Sequence, residues 1–293
     1  GTIFRHIVGH AIGFPLKNIS VLPKYFGMYG TSTFPKGTYT DASSMMLCTI
    51  AAINEARCVS IEDILDSLTN WYLAGSLTIN GDCIEIKTNV MQALNNYTNG
   101  FPPDRCGVNE ESQNNNAALI RILPIALFYC YKSIDELIEN IHQVSRLTNP
   151  QLDNQICCAL YGLLIRSILL EKKEKVFELL SDYYKTKKQD DRVDVLKGIL
   201  DWRNNNSPKG TEQVVDSFWS CWASYSQNQN DFSSCLEAAV KLGNSCDDTA
   251  SLTGALAGLS LGLEAIPEDW TDELQLSPEV VDEINKFVKL VSR

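Results

Sequence analysis

Apolar residues recur at three- and four-residue steps along most of this chain, the period of a helix with one buried face. The pattern predicts helices over Asp41–Ala56, Ile61–Tyr72, Ser133–Arg146 and Asp153–Leu170, then over Val214–Tyr225 and Phe232–Leu242. A shorter one is expected through Val90–Tyr97, and another over Ala117–Tyr131, bent at Pro124. Ser133 followed by Asp135 and Glu136 reads as a helix start, and Gly-Pro signals before Pro15 read as a stop. Sustained alternation of Val, Ile and Tyr is missing, so strands are short at most. Charge clusters at 171–175 and 185–192 read as solvated helix ends. The count is about a dozen helices with short connections, an all-α, multi-helix single domain over residues 1–293.

Two stretches break this plain pattern. Gly243-Asn244 is a turn that feeds Asp247-Asp248-Thr249 into a helix carrying Gly254, Gly258 and Gly262 four residues apart. That spacing aligns the glycines on one face, where another backbone can come very close. Far upstream, Thr40-Asp41 stands at the start of the helix from Asp41. Short oxygen-bearing side chains at helix starts are most often caps. Carboxylates brought together from two such starts are also a seat for a hard cation.

Taken together, these stretches resemble the ADP-ribosylglycohydrolase family, whose members carry G-x-x-T-D-D-T-x-M early and G-G-D-x-D-T-x-A-x-x-x-G-A-x-A-G late. Here Gly37 to Met45 and Gly243 to Gly258 stand in those places, and the likeness runs over nearly the whole chain. A third stretch, Asn115-Asn116-Ala117-Ala118 through Arg121, resembles the family's G-N-G-A-x-M-R. Thr148-Asn149 stands where the family commonly has Thr-His. The chain departs from the pattern where His10 replaces an Asp, Lys17 a loop Glu, Ala42 a second early Asp and Ser245 the first late Asp.

The resemblance implies a single all-α orthogonal domain that binds ADP-ribose and hydrolyses it from modified protein side chains. It implies Asp41 and Asp247 as catalytic carboxylates, with Thr40, Asp41, Asp247 and Asp248 around magnesium. Asn115, Asn116, Thr148 and Asn149 would contact the ligand. Two dications need more negative charge than three carboxylates supply, so one magnesium ion at most is expected. The alternatives are a catalytically impaired pseudoenzyme that keeps the ADP-ribose cleft, or an interaction protein whose cleft is vestigial.

Composition narrows the partners. The net charge of -11 and a pI near 4.8 argue against nucleic acid or an anionic membrane as the main partner. No apolar run is expected to reach the ~18 residues of a spanning helix, and no charged-then-apolar leader is read at the N-terminus. The ten cysteines contain no C-x-x-C pair and lie mostly in apolar contexts. They read as small buried hydrophobes in a reducing, cytoplasmic setting.

Overall fold

The computed structural model describes residues 1–17, 19, 23–172, 175–187, 191–261 and 266–292. Gly262 and parts of the charge clusters at 171–175 and 185–192 lie outside the described residues. Among those described, fourteen α-helices and no strand are found, and one isolated β-bridge joins Asn115 to Gln213. The helices are α1 (Thr2–Gly13), α2 (Asp41–Ala56), α3 (Ile61–Ala74), α4 (Thr88–Thr98), α5 (Leu123–Tyr129), α6 (Ile134–Arg146) and α7 (Leu152–Leu169). They continue as α8 (Val176–Thr186), α9 (Arg192–Asn205), α10 (Val214–Ser226), α11 (Phe232–Lys241), α12 (Cys246–Ser260), α13 (Glu268–Asp272) and α14 (Pro278–Val291).

The helix expected over Ala117–Tyr131 is two elements, a 3-10 turn at Leu119–Arg121 and then α5. Pro124 does not bend a continuous helix. It falls in the first turn of α5, where its missing N–H has no partner to lose. The expectation of no span-length apolar stretch is corrected too. Helix α7 is 18 residues long with mean hydropathy 1.2, enough by length and composition to cross a bilayer. Most of it, from Asn154 to Arg166, is buried among other helices of the domain. Ser133 forms the capping box that its sequence announces, accepting from the Glu136 N–H while the Glu136 carboxylate accepts from the Ser133 N–H.

The closest helix packing joins α1 to α12, and it is built on glycine. A Cβ added at Gly9 would stand 2.1 Å from the Ala250 carbonyl oxygen, and one at Gly254 would stand 2.4 Å from that of Arg5. At the end of α1, a Cβ on Gly13 would lie 2.4 Å from the Cα of Asp247. Only glycine permits this approach. The seam therefore presses the first turn of α12 against the segment that leads to Lys17.

Candidate functional site

Three buried carboxylates meet at two helix starts. Asp41 opens α2, while Asp247 and Asp248 occupy the first turn of α12. The partial positive charge of each helix N-terminus favours anions at these positions. Gly243 and Asn244, with φ of 72° and 52°, make the left-handed turn that aims α12 here. None of the three carboxylates caps its helix through a neighbouring N–H beyond its own turn. Asp41 Oδ1 takes the Ala42 N–H at 2.9 Å, and Asp247 receives no hydrogen bond at either oxygen.

Two lysines enter this nest. Lys87 lies just before α4, and its Nζ is 3.0 Å from Asp248 Oδ2, 3.8 Å from Asp41 Oδ2 and 3.9 Å from Glu212 Oε2. Lys17 follows the 3-10 turn after α1, and its Nζ is 3.2 Å from Asp247 Oδ2 and 3.5 Å from Glu85 Oε2. Burial opposes the charge on Lys87, but Asp248, Asp41 and Asp247 together hold its pKa well above the usual value. The same balance raises Lys17, through Asp247, Asp248 and Glu85. Burial, with Asp248 beside it, pushes Asp247 up to about 7, and burial pushes Asp41 up to about 6. Asp248 is also penalised by burial, yet Lys87 and Lys17 hold it below the ordinary carboxylate range.

His10 completes the wall. Its Nδ1 accepts the Ser43 backbone N–H at 3.2 Å and lies 2.8 Å from Ser43 Oγ. That leaves Nε2 to carry the proton and donate to Thr40 Oγ1 at 3.1 Å, and Thr40 in turn donates to Glu85 at 3.2 Å. Burial holds the ring neutral, with its pKa down at about 3.

The nest opens into a cleft of ≈ 560 Å³ lined by Lys17, Asp41, Glu85, Lys87, Asn115 and Glu212, among others. Asn116 lies deeper. Its Nδ2 donates to Asp248 Oδ2 and to Ser217 Oγ, both at 3.0 Å. Asn115 Oδ1 accepts the Ala117 N–H at 3.1 Å, and the Asn116 N–H goes to Glu212 O at 2.8 Å. Two donors at this turn are thus already engaged. Thr148 and Asn149 are fully buried behind the cleft, where Asn149 Nδ2 donates to Asn115 O at 3.1 Å and Arg121 donates to Thr148 Oγ1 at 3.0 Å. They brace Asn115 from behind. A second groove, ≈ 610 Å³ between Leu164, Val176, Phe177, Trp222 and Tyr225, holds no such meeting of buried carboxylates.

His10, Asp247 and Asp248 bring possible metal-ligand atoms within 4.8 Å of one another. Magnesium demands near-octahedral oxygen coordination. With the lysines in place, this donor set does not fit it. The His10 lone pair is spent on Ser43, Asp248 Oδ2 serves Lys87 and Asn116, and Asp247 Oδ2 serves Lys17. Both oxygens of Asp247 and Asp248 Oδ1 remain without a hydrogen bond, and Asp247 Oδ2 has only its ion pair with Lys17. Unit charges ~4 Å apart interact by ~4 kcal/mol at an effective dielectric constant of about 20, and a dication doubles that repulsion against each ammonium.

Asp41, Asp247 and Asp248 were visible in sequence as acids at helix starts. Lys87, Glu85 and Glu212 carried no signal, because each lies in a polar connection whose partner is remote along the chain. His10 stood out only as a departure from a pattern.

The all-α fold, with its acidic nest at paired helix starts, defines a class, and comparison with known proteins agrees. The ADP-ribosylglycohydrolase family matches residues 1–293, so the chain belongs to that family. It is similar to the ADP-ribosylarginine hydrolase Tri1 of Serratia proteamaculans (strain 568), at 25% identity over 94% of this chain and 74% of that protein. Tri1 of Pseudomonas putida (strain GB-1) is 23% identical over 96% of this chain and 75% of its own length. The ADP-ribosyl-[dinitrogen reductase] glycohydrolase of Rhodospirillum rubrum is 21% identical, over 83% and 76%. A solved structure described as an ADP-ribosylglycohydrolase-related protein complex shares the fold with a TM-score of 0.79 at 22% identity, over 99% of this chain and 96% of that one.

Proposed function

We propose that this protein binds ADP-ribosyl groups carried on protein side chains, with arginine-linked ones as the first candidate, and turns them over slowly. The observation that carries this reading is the meeting of three sequence-remote stretches, Thr40-Asp41, Asn115-Asn116 and Asp247-Asp248, at one cleft. Carboxylates at its floor suit ribose hydroxyls, which are donors, and the cleft volume is in the range of small-ligand sites. Relatives named for hydrolysis of ADP-ribosylarginine supply the acceptor.

Slow turnover follows from the state of the carboxylates. Glycoside hydrolysis needs one acid for the leaving group and one base for water. Asp247 is buried beneath Lys17, and Asp41 is nearly so beneath Lys87. Asp247 is not free to activate a water without Lys17 first moving, and Asp41, although it lines the cleft, has the Lys87 ammonium 3.8 Å from its Oδ2. The proposal includes a reducing, cytoplasmic setting, which ten unpaired cysteines suit.

A second reading is a slow hydrolase assisted by a single magnesium ion that displaces Lys87. The unpartnered oxygens of Asp247, Asp248 and Asn116 favour it. Isothermal calorimetry with ADP-ribose, together with release of ADP-ribose from arginine-modified protein, tests both. Saturating ADP-ribose should stabilise the fold by about 2.7 kcal/mol at roughly 100 times its Kd. No heat and no melting shift at millimolar ligand would sink both readings and leave a helical interaction protein.

A further inference from the structure

We propose that Lys87 and Lys17 are the resident cations of this cleft: their ammonium groups fill the space between Asp41, Asp247 and Asp248, and the protein holds its ligand without a divalent metal. The ligand half of this statement rests on the function proposed above. The charge half rests on the geometry alone.

Lys87 is the central cation. It is largely buried, and its Nζ is shared by carboxylates from the start of α12, the start of α2 and the 212 connection. Among the described residues, no other ion pair joins these three segments. Lys17 does the same for Asp247 and Glu85 on the other side of the nest. The three buried carboxylates and the two ammonium groups leave one net negative charge at the floor, and the more exposed Glu85 and Glu212 add to it at the rim. Adding a dication would require a lysine to leave its partners.

An ammonium also differs from a metal in what it offers. It is a point charge with three donors on a flexible stem, it carries no open coordination position, and it lowers the pKa of a nearby water far less than a coordinated metal ion does. A cleft built this way is permanently charged, independent of metal supply, and suited to holding hydroxyl and carboxylate groups in place. It gives no metal-bound hydroxide. The same geometry thus explains retention of a binding cleft together with slow turnover.

The test uses the full chain and manganese as a spin probe. Electron paramagnetic resonance of free Mn²⁺ should be unchanged by the wild-type protein up to about millimolar metal, the weak end of carboxylate sites. Lys87→Met should gain Mn²⁺ binding by at least about tenfold. Should Lys87→Met fail to fold, Lys17→Glu replaces it, since Lys17 is 26% exposed and its removal leaves Lys87 in place. It should show the same direction of change. Wild-type protein that takes up Mn²⁺ tightly, or a folded variant that gains none, overturns the inference. ADP-ribose binding is scored separately in the presence of chelator, so loss of ligand binding with no Mn²⁺ uptake would count against the function and not against the lysines.

Discussion

Helices α1 and α12 build two regions of opposite character a few turns apart. Along their middle, Gly9 faces Ala250 and Gly254 faces Arg5, and the backbones touch with no side chain between them. At one end, Asp247, Asp248, His10 and Lys17 crowd together with buried charge on every side. The seam is governed by shape and tolerates no added atom. The nest is governed by charge balance, with acceptors in excess of donors. A seam of this kind holds the nest rigidly at its mouth, so strain in one should reach the other mostly as lost stability.

The largest effect should come from the seam. Gly9→Val sets a Cβ against the Ala250 carbonyl and should cost ~4 kcal/mol or more, at the exceptional end for point changes. Chemical denaturation of the variant checks it. A cost under ~1 kcal/mol would mean the seam can open and is not the rigid partner claimed here.

Next comes the nest. Lys87→Met leaves buried carboxylates without their shared cation and should cost ~3 kcal/mol at neutral pH, as removal of one partner of a buried pair does. The same denaturation assay, repeated with Mn²⁺, should recover part of that loss. No recovery would show that the loss is one of packing.

Asn115 divides the two regions in function, since it lines the cleft but is braced by Asn89 and Asn149. Asn115→Ala should weaken ADP-ribose about tenfold, or ~1.4 kcal/mol, with a smaller change in melting temperature. Unchanged affinity would move the ligand away from this wall.

Acid should separate the regions more gently. Burial holds His6 at about 4 and His142 at about 3, below the ~6.5 of an unfolded chain. The unfolded state therefore binds more protons, and stability is lost as pH falls from about 6.5 toward 4. Asp247, raised to about 7 mainly by burial and then by Asp248, works in the opposite sense, because the native state keeps its proton over that window. Asp247→Asn removes this opposing contribution, so its melting temperature should fall more steeply with acid than the wild type's. A shallower fall would mean that Asp247 stays ionised in the native protein well below pH 7.

Much of the fold could be read before any coordinates, and for physical reasons. Helix α2 runs over Asp41–Ala56 as periodicity predicts, and α6 begins where its capping box lies. The break before α5 was missed because Leu119 to Leu123 keeps an apolar pattern while its backbone tightens to a 3-10 turn. In the site, acids at helix starts announce themselves through local rules. Lys87 does not. Its meaning depends on Asp248, 161 residues away, and no local rule separates a buried lysine from one on a solvated turn.

The central question is whether the cleft holds ADP-ribose with its own lysines as the cations. The most direct measurement is calorimetric titration of ADP-ribose into the wild-type chain, once with chelator and once with millimolar magnesium. Binding is expected in both, with affinities within about twofold, less than ~0.5 kcal/mol apart. Binding that appears only with magnesium would contradict that expectation.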